Sequence, residues 1–89
     1  GTAASFEPTF SGNMTIYPNP SDGRIYVVLS EIGDASISDI HGKVVLRTKL
    51  ENGQNEVILP ENCAAGIYIL SVISKNGKER MVRKISVVK

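Results

Sequence analysis

Short apolar runs separated by turn residues dominate this chain of 89 residues. Within most runs an apolar residue alternates with a polar one, which is the period of a strand that buries one face of a sheet. Turn signals recur about every 8–12 residues, a spacing typical of β-sandwiches. The sequence therefore predicts an all-β fold, a seven-stranded antiparallel immunoglobulin-like β-sandwich over residues 14–89.

The alternation sets the predicted strands at residues 14–17, 24–29, 35–40, 44–50, 55–59, 67–73 and about 79–88. The run 67–73 is the most apolar, with branched side chains on both faces, so we place it at the centre of a sheet. Four residues of the fourth run are expected to face inward: Val44, Leu46, Thr48 and Leu50. The alternation of the last run slips near Arg83 and Lys84, which predicts a β-bulge there.

Residues with special backbone preferences mark the predicted structural turns: Pro18, Asn19, Pro20, Gly23, Gly42, Asn76 and Gly77. The two prolines remove backbone donors and end the first strand. Gly42 suits a positive φ in a tight turn. The Asn76-Gly77 pair predicts a two-residue type I′ hairpin.

Residues 1–13 are small, polar and aperiodic, which is the composition of a linker. Two interpretations stay open for them, a tether or processing site and an arbitrary boundary. They lack the basic and apolar regions of a signal peptide, so we expect the first targeting signal of an exported protein to lie on a preceding part.

Ten Lys and Arg balance nine Asp and Glu, for a formal net charge of +1. This balance gives no long-range attraction to nucleic acid, and no apolar run approaches the length of a membrane span. Basic residues nevertheless gather near the end of the chain: Lys75, Lys78, Arg80, Arg83, Lys84 and Lys89. They either keep the last strand soluble and discourage edge pairing, or dock a partner.

The residues needed for catalysis are sparse, and we predict no catalytic site, no metal site and no cofactor. His41 is the only histidine and Cys63 the only cysteine. A pair of these two would need to meet across different loops, so a turn histidine and a space-filling cysteine are the simpler interpretations. Scattered carboxylates leave calcium binding open: Asp22, Glu31, Asp34 and Asp39.

Four segments, read in order, resemble a known family, the type A C-terminal sorting domains of the type IX (Por) secretion system. Residues 16–23, IYPNPSDG, are similar to the opening motif of that family, and residues 37–43, ISDIHGK, to its second turn. Residues 65–70, AGIYIL, are similar to its G-x-Y-x-L strand, and residues 83–89, RKISVVK, to its basic and then apolar terminus. The resemblance covers nearly all of residues 14–89.

The resemblance implies a secretion and sorting signal at the C-terminus of a covalently linked cargo protein. The cargo would reach the periplasm in transit to the outer membrane, and an outer-membrane translocon would recognise the domain. A sortase-like peptidase would then usually remove the domain, leaving the cargo anchored at the cell surface or released. The domain would be a monomer or a domain-swapped dimer.

The resemblance also implies which residues the secretion machinery recognises: Gly66, Tyr68, Lys84, Ile85, Val87, Val88 and Lys89. A receptor can add a strand to a terminal strand and bind its free carboxylate. For Gly66 and Tyr68, a role in folding alone stays open. The alternative function is an adhesive or carbohydrate-binding immunoglobulin-like module, which would show exposed aromatic residues on one face.

Overall fold

The computed structural model describes residues 14–75, 77 and 79–89. Seven strands and no helix occur in this described part, which confirms the predicted all-β fold. All strand pairs are antiparallel. The strands are β1 (Met14–Tyr17), β2 (Arg24–Leu29), β3 (Gly33–Asp39), β4 (Val44–Leu50), β5 (Gly53–Ile58), β6 (Gly66–Ser74) and β7 (Arg80–Val87). The predicted linker, residues 1–13, lies outside the described residues.

The strands form two sheets, one of order β1-β2-β5 and one of order β4-β3-β6-β7. Strand β6 lies between β3 and β7, so the prediction that the most apolar run is central is confirmed. In constant-type immunoglobulin domains the fourth strand joins the sheet of the first, second and fifth strands. Here β4 pairs with β3, which makes the second sheet wider by one strand.

The core consists of alternate side chains from the facing sides of the two sheets. Strands β2 and β6 supply its centre, because every second residue of each is almost fully buried. The buried apolar residues are Met14, Ile25, Val27, Leu29, Ala35, Ile37, Leu50, Val57, Leu59, Cys63, Tyr68, Leu70, Val72, Ile85 and Val87. With no disulfide available to a single cysteine, this packing is the main source of stability.

The predicted inward face of β4 is wrong at Val44, which is exposed and pairs with outward-facing Ser38; Thr48 is also exposed, and only Leu50 is fully buried. A bulge explains the difference at the start of the strand. Ile37 pairs with Leu46 and the next residue of β3 pairs with Val44, which leaves one extra residue on β4. Farther along, β4 is the edge strand of the wider sheet, so Thr48 reaches solvent although it lies on the inner side.

The bulge predicted near Arg83 and Lys84 does not occur. Strand β7 pairs with β6 without a register shift, from Val87 opposite Gly66 to Arg80 opposite Ile73. The slip in the alternation has another cause: Arg83 lies on the core-facing side of β7 but at the sheet edge, where its side chain is exposed.

The part of the chain that the structure describes contains no helix with the length and hydropathy needed to span a membrane.

Candidate functional site: the terminal strand

The residues predicted for recognition come together at the end of β7. Gly66 lies opposite Val87, and Tyr68 lies opposite Ile85. Lys84 follows in the same ladder, paired with the residue after Tyr68. Two segments that are distant in sequence therefore form one patch of antiparallel sheet.

Burial divides these residues into two groups. Ile85 and Val87 are 0% and 2% exposed, and Tyr68 is also part of the core, so these three act through packing in the folded domain. Val88 is 53% exposed, and Lys89 is exposed as well. Gly66 and Lys84 are exposed too, so a partner of the folded domain can contact Gly66, Lys84, Val88 and Lys89 but not the three buried side chains.

Tyr68 joins the strand to the loop that precedes it. Its hydroxyl donates a hydrogen bond to the carbonyl oxygen of Ala64 at 2.7 Å. Burial raises the pKa of the Tyr68 phenol, and the neighbouring Cys63 acts in the same direction. Gly66 enters the strand at a φ of +150°, and a Cβ there would meet no atom within 4 Å, so backbone conformation is the reason for glycine.

The segment between β1 and β2 lies along the outer edge of β7. The Asn19 side chain donates from Nδ2 to the carbonyl oxygen of Lys84 at 3.0 Å and accepts at Oδ1 from the Ser86 N–H at 3.0 Å. The Ser21 N–H donates to the carbonyl oxygen of Ser86 at 2.8 Å, and the Val88 N–H donates to the carbonyl oxygen of Ser21 at 2.7 Å. We call Asn19 and Ser21 the edge clamp, because together they occupy these outward-facing backbone groups.

The clamp is itself fixed by its own turn. Ser21 is buried, and its hydroxyl donates to the carbonyl oxygen of Arg24 at 2.7 Å while accepting from the Gly23 N–H at 3.0 Å. Gly23 in this turn has a φ of +119°. The peptide bonds that precede Pro18 and Pro20 are both cis. The sequence marked these residues as a turn but gave no signal that the turn reaches β7.

The clamp limits how a receptor could extend the sheet from β7. From Lys84 to the end of the strand the outer edge is already occupied by Asn19 and Ser21. Earlier in the strand, the outward carbonyl of Val82 accepts only from the Arg83 guanidinium, at 3.2 Å, within the described part of the chain. Strand addition near the terminus therefore requires displacement of the clamp, whereas the edge at Arg80 and Val82 is accessible.

Lys89 makes a second attachment of the terminus. Its Nζ donates to the carbonyl oxygens of Glu61 at 3.3 Å and of Cys63 at 2.5 Å, both in the loop between β5 and β6. The same loop receives the hydrogen bond from Tyr68. Lys89 is thus exposed but hydrogen-bonded to this loop.

The turn between β3 and β4 forms as predicted around Gly42, which has a φ of +87°. The Asp39 carboxylate accepts the N–H groups of His41 and Lys43 at 2.8 and 2.9 Å. The hydrogen bond from the Lys43 N–H is the main reason that the pKa of Asp39 is lowered. This turn is structural, since its side-chain acceptor is used by its own backbone.

The turn between β6 and β7 contains Gly77, with a φ of +75° and an N–H that donates to the carbonyl oxygen of Ser74 at 2.8 Å. Asn76 lies outside the described residues, so the type I′ geometry stays a prediction. A positive φ at Gly77 is what the sequence led us to expect.

The structure gives no support to a Cys63–His41 pair. Cys63 is buried beside Tyr68, and no hydrogen bond joins its thiol to His41 among the residues described. Within the same ranges, no group of three or more His, Cys, Asp or Glu side chains could hold a metal ion. The carboxylates considered for calcium are therefore not gathered into a site there.

Two tyrosines share the outer face of the three-stranded sheet. The rings of Tyr17 and Tyr26 stack with centroids 5.4 Å apart, and the Tyr17 hydroxyl donates to Gln54 at 2.8 Å. Each ring thus covers part of the other, so they do not form the open aromatic platform of a glycan-binding module. Nothing here favours the adhesive alternative.

A family model described as a secretion system C-terminal sorting domain matches residues 15–88. This range includes the edge clamp, β6 and the whole of β7. No curated protein and no solved structure matches the chain.

Proposed function

Because the chain belongs to the family of C-terminal sorting domains of the type IX secretion system, we propose that its terminal strand is presented to the export machinery as a folded, edge-clamped signal. The domain is a sorting signal for type IX secretion, and the protein that carries it is secreted to the cell surface or the extracellular space. It therefore interacts with the secretion system and is attached to a cargo.

The observation that supports a folded signal is the contrast between adjacent residues at the terminus. Val87 is part of the core, whereas Val88 is half exposed. The Val88 N–H and the Lys89 ammonium are each fixed to another segment of the domain. A receptor would find these two side chains already ordered, which lowers the entropic cost of binding them.

In this proposal the receptor belongs to the outer-membrane translocon, and the cargo crosses the periplasm before it is recognised. A sortase-like peptidase then separates the cargo from the domain. The domain itself carries out no reaction. Its fold positions Lys84, Val88 and Lys89, while Gly66 and Tyr68 shape the sheet beneath them.

The test is export of a periplasmic reporter fused to the domain in a host that has a type IX system. Removing Val88 and Lys89 should leave the reporter in the periplasm, because the exposed part of the signal is lost while Val87 stays in the core. Circular dichroism should show that the truncated domain still folds.

The matched control carries Thr15→Ala and Asn52→Ala, two exposed residues near the end of the sandwich opposite the terminus, and should be exported normally. Normal export of the truncated domain would contradict a role for the folded terminus. Failure of the intact domain to export the reporter would contradict the function itself.

A further inference from the structure

The outer face of the four-stranded sheet carries an apolar stripe that the core does not use. Strand β6 is apolar on both sides, and Ile67, Ile69 and Ile73 point away from the core, joined by Val82 of β7. Ile73 and Val82 are 41% and 44% exposed. We call these four residues the isoleucine face. The adjacent strand β3 instead shows the polar outer side that an antiparallel sheet usually presents to water.

Basic residues border this stripe on both sides. One row across the four strands consists of Lys49, Asp34, Ile73 and Arg80. Arg47 extends one basic border in the next outward-facing row, and Lys84 extends the other one row farther along. The strand residues of this face therefore contribute four cations and only one anion, in a chain whose net charge is +1.

The face is ordered as well as charged. Arg80 lies across it, with Nε donating to the Ser71 hydroxyl at 3.4 Å. A shallow groove on the other side of the stripe is lined in part by Asp34, Lys49 and Ile73. The isoleucine face also adjoins the part of the β7 edge that the clamp leaves accessible, at Arg80 and Val82.

We propose that the isoleucine face docks an acidic protein surface of the export machinery, one with an apolar ridge flanked by carboxylates. An apolar centre with a charged rim is the composition of a protein interface. The uniform sign of the rim favours a partner of opposite charge and disfavours a second copy of the domain, since two such faces would repel. This inference rests on the proposed function and adds a second contact to the terminal one.

The experiment uses the same reporter fusion with two variants of the face. One is Lys49→Glu with Arg80→Glu, which reverses the charge at both ends of a row. The other is Ile73→Ser with Val82→Ser, which removes exposed apolar area and leaves the charges. Each should lower export roughly tenfold, the loss expected when an interface loses a contact worth about 1.4 kcal/mol.

Two controls are included. The first keeps the charges of the face, and the second makes similar changes outside the face. Lys49→Arg with Arg80→Lys keeps both charges and should retain export. Ile32→Ser with Glu51→Lys changes an exposed apolar residue and a charge in loops outside the face, at the end of the sandwich remote from the terminus, and should also retain export. Thermal melts of every variant identify any loss of export that comes from unfolding.

Normal export of both face variants, while removal of Val88 and Lys89 still stops export, would overturn this inference and leave the proposed function intact. If the intact domain failed to export the reporter, both this inference and the proposed function would be overturned. A dimer of the native domain in size-exclusion chromatography that the charge reversal dissociates would assign the face to self-association and overturn the inference. Binding to vesicles of anionic lipid that the reversal abolishes would overturn it in favour of a membrane.

Discussion

Replacing Asn19 with alanine should loosen the end of β7 without unfolding the domain. The change removes two hydrogen bonds, one to the carbonyl oxygen of Lys84 and one from the Ser86 N–H, both 3.0 Å long. A protein hydrogen bond contributes a net ~0.5–1.5 kcal/mol to stability. Because water replaces part of each bond at this exposed edge, we expect a total loss of about 1–2 kcal/mol.

Hydrogen exchange followed by NMR measures this loss at one amide. The Ser86 N–H points outward to Asn19, so its exchange should become about 5–30-fold faster, the factor that corresponds to 1–2 kcal/mol. The amides of Ile85 and Val87 alternate with it and face β6, so they serve as internal controls. A loss of this size should lower the melting temperature by about 4–15 °C if it is expressed fully in global unfolding.

Asn19→Asp is the matched variant, because a carboxylate keeps the acceptor for Ser86 and loses only the donor to Lys84. It should therefore protect the Ser86 amide but recover less than half of the stability lost in Asn19→Ala, because its second oxygen faces the carbonyl oxygen of Lys84. Equal exchange of the Ser86 amide in the native domain and in Asn19→Ala would refute the clamp. If the Ser86 amide exchanged faster by the same factor in Asn19→Asp and in Asn19→Ala, the assignment of Asn19 Oδ1 as its acceptor would be refuted.

Three further changes test other parts of the structure. Tyr68→Phe leaves the carbonyl oxygen of Ala64 without its 2.7 Å donor and should cost about 1 kcal/mol in urea unfolding; an unchanged midpoint would refute the role of the hydroxyl. The pKa of Asp39 is lowered in the fold, so its contribution to stability is present above its usual pKa of about 4 and is lost as pH falls through the lowered value. Asp39→Asn should therefore lower the melting temperature at pH 6, with a deficit that shrinks toward pH 2; a deficit independent of pH would contradict this. Gly33→Ala would place a Cβ 2.9 Å from the carbonyl oxygen of Ile73 and should destabilise the domain by about 1–3 kcal/mol, whereas an unchanged melting curve would show that the sheet yields freely.

The strands could be predicted because their signals are local. In β2 and β6 the alternation of side chains continues through the whole strand, and every second residue is buried. Glycines at turns were equally readable, since a positive φ such as that of Gly42 favours one residue type. These features depend on neighbours within a few positions along the chain.

The errors arose where distant segments decide the structure. The bulge opposite Ile37 shifts β4 by one residue, and nothing within β4 indicates it. Arg83 broke the alternation because it lies at a sheet edge, a position that only the strand order reveals. The Asn19 side chain bonds a carbonyl 65 positions away, and a turn asparagine with such a partner looks in sequence like any other.

The apolar outer side of β6 shows a different limit. The sequence correctly placed this strand at the centre of its sheet, and two apolar faces are usual for a strand buried on both sides. In the structure the outer side of β6 faces solvent in part, and Ile73 is 41% exposed. The apolar residues on both sides of β6 thus have two explanations, a central place in the sheet and an exposed apolar surface. Only the structure distinguishes them.

Site-specific photo-crosslinking during export tests whether another protein binds the terminal strand. A photoreactive residue replaces Val88 in one fusion and Thr15 in another, since both side chains are exposed and Thr15 lies on the three-stranded sheet, near the end remote from the terminus. We expect position 88 to form an adduct with an outer-membrane component of the secretion system, and position 15 to form none. The absence of an adduct at position 88, or equal adducts at both positions, would contradict recognition through the terminal strand.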